Sequence, residues 1–154
     1  MTDATAVDAE NRDTAVSALD SMCDHICQLL GAVISDAGVV RGEIVVRIGI
    51  SDVIAVLSSL RDDRHAAFNQ LSDLTAVDYP ERPNRFEMVY HFKSLRHGKR
   101  IRVKVRLDEQ DCSIDSIYHL WKAVDWYERE CFDMYGIHFN NHPDLRRILM
   151  YDQF

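Results

Sequence analysis

The spacing of apolar residues predicts a mixed α/β domain. From Thr14 onward, apolar side chains recur every three or four residues, as on one face of a helix, at Val16, Leu19, Cys23, Ile26, Leu30 and Val33. Gly38 is expected to end this helix. Residues Glu43–Ile50 alternate between two faces, which predicts a strand with one buried face. Ser51 is then expected to cap a helix over Val53–Leu60, because its hydroxyl can accept from the free amides of the first turn.

Two more strand-forming regions follow. The stretch Phe68–Tyr79 predicts a second strand, and Pro80 and Pro83 close it because a proline lacks the donor that a ladder needs. Residues Arg85–Leu107 predict a hairpin, since each arm carries apolar residues on one face and the turn lies around Gly98.

A last helical region is predicted to begin at Ser113 and to run into Trp126, on an amphipathic pattern of Ile114, Ile117, Leu120, Trp121 and Val124. Within it, Asp125 and Arg129, and then Arg129 and Asp133, are four residues apart. Such pairs lie on one helix face and contribute about a few tenths of a kcal/mol each. They are therefore too weak to be explained as stability devices.

Composition is consistent with one domain. A length of 154 residues and a hydrophobic content of 47% provide enough material for one core. We predict a disordered acidic leader over residues 1–13, where Val7 is the only sizeable apolar residue. An α/β core is predicted over residues 14–125 and, in the same domain, a C-terminal signature helix and docking segment over residues 126–154. The predicted fold class is α/β (α+β), a two-layer domain with a mixed sheet of about four or five strands covered by helices.

Cysteines and hydropathy bear on the compartment. The four cysteines, Cys23, Cys27, Cys112 and Cys131, lack the spacing of a metal knuckle or a disulfide framework, so free thiols in a reducing compartment are expected. No apolar run approaches the roughly 20 residues needed to span a bilayer. The chain is expected to be soluble, or attached to a membrane only through partners.

One predicted strand is basic although the chain is acidic. The net charge of -7 counts against a dedicated nucleic-acid binder, because phosphate contacts need a cationic surface. The second arm of the hairpin nevertheless carries a stripe of Arg100, Arg102, Lys104 and Arg106. Sheets that bind RNA or DNA usually place exposed aromatic residues among such charges, whereas the aromatic residues here share the apolar face of the first arm. A solvated or partner-facing strand is favoured, and nucleic-acid binding by the Arg100–Arg106 strand stays the alternative from another class.

The stretch Trp126–Leu149 holds the densest group of aromatic and charged residues. Glu128 and Glu130 would be about 200° apart around a helix, so they cannot act on one substrate as the paired carboxylates of a hydrolase. His138 and His142 have the spacing of a zinc helix, but no glutamate follows the first histidine and adjacent asparagines disfavour a helix. Aromatic residues and arginines are typical of protein interfaces, so this stretch is predicted to dock a partner.

The motif ERECFDMYGIHFNNHPDLRRIL, from Glu128 to Leu149, strongly resembles the signature of the 30 kDa-type (C-type) subunit of respiratory complex I, the proton-pumping NADH:quinone oxidoreductase. Residues 72–95, SDLTAVDYPERPNRFEMVYHFKSL, and residues 100–105, RIRVKV, are similar to the same family in order and spacing. The resemblance covers residues 67–151, and the N-terminal third carries no diagnostic residues.

The resemblance implies a non-catalytic structural subunit of the peripheral arm, which positions neighbouring subunits near the quinone-reducing end. It implies no cofactor in this chain, with FMN, iron–sulfur clusters and quinone in partner subunits. The implied partners are the hydrogenase-large-subunit-like (49 kDa-type) subunit, the terminal-cluster subunit and other peripheral-arm subunits, without nucleic acid. The motif residues expected to shape the interface, in a positional role, are Glu128, Arg129, Glu130, Asp133, His142, Pro143, Asp144, Arg146 and Arg147.

The implied location is peripheral, on the cytoplasmic side of the bacterial inner membrane or on the mitochondrial matrix side. An equivalent subunit of a related hydrogenase-type or ferredoxin-dependent complex is the alternative within the superfamily. Family sequences continue past the RRIL motif with a glycine, a Pro-Leu-Arg-Lys run and further chain that wraps over neighbours, whereas this sequence stops at Phe154.

Overall fold

The computed structural model describes residues 4–154, with side chains described from Thr14 onward. Helix α1 covers Ala4–Leu30, so it begins before the start that the apolar spacing predicted. Of the predicted leader, residues 1–3 lie outside the described residues and the rest form the first turns of α1. Alanine and glutamate favour a helix without burial, whereas apolar spacing marks only the part of a helix that packs on a core.

Five strands form one mixed sheet in the order β1-β2-β5-β4-β3. All neighbouring strands are antiparallel except β2 and β5, which run parallel with Ile44 opposite Ile101. The mixed sheet expected from the sequence is therefore confirmed. The strand bounds are β1 Ile34–Val40, β2 Glu43–Ile48, β3 Gln70–Asp78, β4 Phe86–Ser94 and β5 Lys99–Leu107.

One face of the sheet and the helices enclose a single core. Alternate strand residues point into it, as in β2 with Ile44, Val46 and Ile48. Helix α2, Val53–Asp62, adds Val53, Val56, Leu57 and Leu60. The core also includes residues of α1 and of the third helix, α3, which covers Val124–Tyr135. The two-layer α/β architecture predicted from the sequence is confirmed.

Two details of the N-terminal half differ from the prediction. Helix α1 ends at Leu30, and Gly31 then takes a φ of +57° before the edge strand β1. Gly38 lies within β1, which the apolar pattern missed because an edge strand with a bulge lacks regular alternation. The N-cap of α2 is Asp52, whereas Ser51 lies in the preceding 3-10 turn, Ile50–Asp52.

The predicted last helix is wrong before Val124. Ser113–Asp115 form strand β6, which pairs in parallel with β7, His138–Asn140, in a separate two-stranded sheet. Ile114 and Ile117 are both buried, but from an extended chain and a turn, so burial produced a spacing that imitates a helix. Helix α3 ends at Gly136, whose φ of +73° allows its N–H to donate to the Phe132 carbonyl at 3.0 Å.

Candidate functional site

Residues 141–154, here called the C-terminal segment, contain neither helix nor strand. Their backbone groups therefore need partners outside a regular ladder. Charged side chains of α3 provide several of these partners, and they include motif residues predicted from the sequence.

Glu128 fixes α3 against the chain that follows β6. Its side chain is fully buried, Oε2 accepts from the Ser116 hydroxyl at 2.6 Å, and Oε1 accepts from the Ile117 N–H at 2.9 Å. Burial raises the pKa of Glu128 to about 7, although both hydrogen bonds favour the carboxylate, and the nearby charge of Asp125 adds to the rise.

His142 joins the start of the C-terminal segment to the same cluster. Its side chain is buried, with Nε2 3.3 Å from Asp125 Oδ1 and 3.7 Å from Glu128 Oε2. Nδ1 accepts from the Asp144 N–H at 3.1 Å, which assigns the proton of a neutral ring to Nε2. Burial lowers the pKa of His142 against the opposing charge of Asp125, so the neutral ring is the stable form at neutral pH.

Arg129 binds the backbone of the segment. Its Nε donates to the Arg146 carbonyl and its Nη2 donates to the Arg147 carbonyl, both at 3.1 Å. The guanidinium is buried and lies 5.3 Å from the ring centre of Trp126. One side chain thus satisfies two adjacent carbonyls, which fixes the path of the chain there.

Asp133 binds the next part of the segment. Its Oδ2 accepts from the N–H groups of Ile148, Leu149 and Met150, at 3.1, 2.7 and 2.8 Å. Burial opposes ionisation, but these three donors and the charge of Arg147 outweigh it and hold the pKa of Asp133 below its ordinary value. The carboxylate therefore acts as an anchor for three consecutive amides.

These contacts replace the ion pairs expected along α3. Asp125 lies next to His142, and Arg129 and Asp133 bind the backbone of the C-terminal segment. The residues have the spacing for i,i+4 pairing, but the segment offers buried backbone groups whose unmet hydrogen bonds would cost more than a surface ion pair contributes.

The remaining motif residues lie nearer the surface. Glu130 and Pro143 are exposed, and Arg146 Nε donates to Asp144 Oδ2 at 2.9 Å with both side chains mostly exposed. Arg147 Nη1 donates to the Tyr151 carbonyl at 3.1 Å, and its Nε is 3.9 Å from Asp133 Oδ1. The predicted site residues thus form an inner group that orders the segment and an outer group that remains accessible.

Large apolar side chains are exposed beside the outer group. Trp126 is 62% exposed, and Leu149, Tyr151 and Phe154 of the C-terminal segment are 62%, 67% and 73% exposed. Several exposed apolar residues in one region are typical of an interaction surface. The residues 116 and 117 that hold Glu128 had no local sequence signal, because they are distant along the chain and only the fold brings them together.

Metal-binding and membrane-spanning features are missing from the described residues. Within that part of the chain, no group of three or more His, Cys, Asp or Glu residues is arranged to hold a metal ion. Among the helices that the structure describes, none has the length and hydropathy required of a membrane span.

Fold and site together define an α/β module that presents an ordered and partly apolar C-terminal segment. The chain belongs to the family of the respiratory-chain NADH dehydrogenase 30 kDa subunit, whose sequence model matches residues 46–154. The resemblance to the complex I 30 kDa-type subunit, found on the motif from Glu128 to Leu149, is therefore confirmed.

Curated relatives are C-type subunits of NADH-quinone oxidoreductase. The one from Rhizobium meliloti (strain 1021), the first of two numbered copies by its name, is 46% identical over 132 residues, which cover 86% of this chain and 65% of the relative. The one from Methylobacterium radiotolerans is 43% identical over 137 residues, which cover 89% of this chain and 62% of the relative. The chain thus spans just under two thirds of the length of these relatives.

Solved structures share the fold. The trypsin-resistant fragment (1-134) of Nqo5 superposes with a TM-score of 0.63 at 28% identity, over 83% of this chain and 99% of the fragment. A chain of the membrane-bound sulfane sulfur reductase, an archaeal respiratory membrane complex, superposes with a TM-score of 0.74 at 20% identity, over 87% of this chain and 77% of that chain. The second likeness shows the fold alone.

Proposed function

We propose that this chain is a non-catalytic structural subunit of the peripheral arm of a proton-translocating NADH:quinone oxidoreductase, where it positions neighbouring subunits near the quinone-reducing end. The observation that carries the proposal is the C-terminal segment. Arg129 and Asp133 hold its backbone, while Leu149, Tyr151 and Phe154 stay exposed. A surface that is ordered before binding loses less conformational entropy when a partner covers it.

The proposed partners are the hydrogenase-large-subunit-like (49 kDa-type) subunit, the terminal-cluster subunit and other peripheral-arm subunits. FMN, the iron–sulfur clusters and quinone would then belong to partner subunits, and the chain would be peripheral on the cytoplasmic side of a bacterial inner membrane. The support is family membership and the names of the bacterial relatives.

The equivalent subunit of a hydrogenase-type or ferredoxin-dependent complex is the second candidate, because the same fold occurs in the archaeal sulfane sulfur reductase complex. Nucleic-acid binding by the Arg100–Arg106 strand is disfavoured by two carboxylates within its surface. Glu43 accepts from Arg102 and Glu87 accepts from Lys104, each at 2.8 Å, and these acids would repel a phosphate backbone.

The test is affinity purification of the full chain from native membranes, with NADH:quinone reductase activity as the readout. The double variant Trp126→Ala with Arg146→Ala removes two accessible anchors and should reduce the recovered activity at least about tenfold, while the melting temperature of the isolated chain stays near that of the parent. The control is Leu95→Ala in the β4–β5 turn, where the side chain is 61% exposed and its loss should leave recovery unchanged.

Recovery of the parent chain only as a free monomer would refute the proposal, and full assembly of the double variant would refute this choice of anchors. Ferredoxin-dependent or hydrogen-dependent activity in the recovered complex, in place of NADH oxidation, would favour the second candidate.

A further inference from the structure

The face of the sheet opposite the core is lined by charged side chains. Because side chains alternate along a strand, residues between the core positions point to this face: Arg47 of β2, Glu87 of β4, and Arg102 and Lys104 of β5. The described helices contribute their apolar residues to the core on the other face, so no described helix covers this one. We call it the arginine face.

Glu87 lies at the centre of the arginine face and is only 1% exposed. Its Oε1 accepts from Lys104 Nζ at 2.8 Å. Its Oε2 has no hydrogen-bond partner among the described residues, although three guanidinium groups approach it: Arg106 Nε at 3.8 Å, Arg47 Nη2 at 3.9 Å and Arg82 Nη1 at 4.0 Å. A buried carboxylate therefore lies among four cations, with three of them too distant for a hydrogen bond.

Cations outnumber the acids that contact them on this face. Arg47 also binds Asp36 at 3.0 Å, and Glu43 binds Arg102 at 2.8 Å with Arg100 at 3.8 Å. Six cations (Arg47, Arg82, Arg100, Arg102, Lys104 and Arg106) thus face three carboxylates (Asp36, Glu43 and Glu87), an excess of three positive charges in a chain of net charge -7.

Arg82 and Arg106 have the weakest local pairing. Each side chain is 44% exposed, and within the described chain the only carboxylate within 4.0 Å of either is that of Glu87. A cavity of about 640 Å³ opens beside Arg106 and Arg47, with Ser35 and Ser51 in its wall. Two guanidinium groups with spare donors therefore border a space that can admit side chains from another molecule.

We propose that the arginine face docks an acidic segment of a partner protein, whose carboxylates bind to Arg82 and Arg106. The planar fork of a guanidinium matches a carboxylate with two parallel hydrogen bonds. Glu43 and Glu87 interrupt the positive surface and would repel a continuous phosphate backbone, so separate carboxylates fit it better than nucleic acid or anionic lipid. The surface is distinct from the C-terminal segment, and the inference takes from the proposed function only that the chain works beside other proteins.

The test uses zero-length cross-linking in the complex purified from native membranes. Arg82→Lys and Arg106→Lys keep the charge and introduce an amine, which a water-soluble carbodiimide joins to a carboxylate in contact with it. Mass spectrometry should find each new amine joined to an Asp or Glu of another protein chain. The matched control, Arg96→Lys, places the same amine on an exposed position of the β4–β5 turn and should give no such cross-link.

Charge reversal provides a second readout. Arg82→Glu with Arg106→Glu should reduce recovery of the complex at least about tenfold, since two attractive contacts become repulsive, whereas Arg96→Glu should leave recovery unchanged. A circular dichroism spectrum and melting temperature of the purified double variant that match the parent separate lost docking from lost folding.

Cross-links only to carboxylates of this chain, or equal cross-linking of the Arg96 control, would overturn the inference. So would binding to phosphatidylglycerol vesicles or single-stranded DNA that the charge reversal abolishes, in the absence of a protein cross-link. If the chain co-purifies with NADH:quinone reductase activity but gives no cross-link, only this inference fails. A cross-link to a protein outside such a complex would support it and refute the proposed function.

Discussion

At the scale of single residues, two glutamates of the ERE motif have different environments. Glu128 is fully buried and bonded to Ser116 and to the backbone of Ile117, whereas Glu130 is exposed on α3. Two helical positions differ by about 200° around the axis, so one residue faces the core and the other faces solvent. Glu128 therefore has an internal role, and Glu130 remains available to a partner.

The buried carboxyl makes stability depend on pH. Because burial raises the pKa of Glu128 from 4.5 to about 7, the folded chain binds this proton more tightly than the unfolded chain does. The unfolding free energy should therefore fall as pH rises between these two values, by on the order of 3 kcal/mol in total. Glu128→Gln keeps the hydrogen bonds of the protonated form without titrating, so it should gain stability relative to the parent as pH rises.

Urea unfolding at about pH 5 and about pH 8 measures this difference. Glu130→Gln is the matched control, because that carboxylate is exposed and its removal should have the same small effect at both pH values. A stability difference between Glu128→Gln and the parent that is the same at both pH values would show that Glu128 titrates normally in the folded chain.

At the scale of elements, α3 and the C-terminal segment form one unit held by side chain to backbone hydrogen bonds. Asp133 alone accepts from three consecutive amides of the segment. Removal of this acceptor leaves those N–H groups without a protein partner, and the segment should open locally while the sheet stays folded.

The prediction is that Asp133→Ala accelerates hydrogen exchange at Ile148, Leu149 and Met150 by about ten- to a hundredfold. Glu130→Ala, on the exposed side of the same helix, should leave these rates unchanged. Asp133→Asn keeps an acceptor oxygen without its charge and should give intermediate rates. Unchanged exchange in Asp133→Ala would mean that other contacts hold this part of the chain.

The sequence predicted elements with regular burial and missed those without it. The β4–β5 hairpin and β3 have long buried faces, and their expected extents match the structure closely. Strand β1 lies at an edge, and β6 pairs only with the distant β7, so neither leaves a periodic signal. The site residues were recognisable from their motif, but their partners were not, because Arg129 and Asp133 bind backbone groups that any sequence provides.

At the scale of the whole molecule, the chain has two accessible surfaces of different chemistry. The C-terminal segment and Trp126 present exposed apolar side chains, and the arginine face presents an excess of positive charge. Interfaces usually combine a desolvated apolar centre with charge complementarity, which favours the correct partner and suppresses others. A subunit that positions its neighbours would use both surfaces.

Hydroxyl-radical footprinting, with the isolated chain compared with the complex from native membranes, tests the central claim most directly. The account predicts that Trp126, Tyr151 and Phe154 are labelled in the isolated chain and lose most of that labelling in the complex, while Leu95 in the β4–β5 turn stays labelled in both. Equal labelling of these three aromatic residues in both samples would contradict the claim that the C-terminal segment is a docking surface.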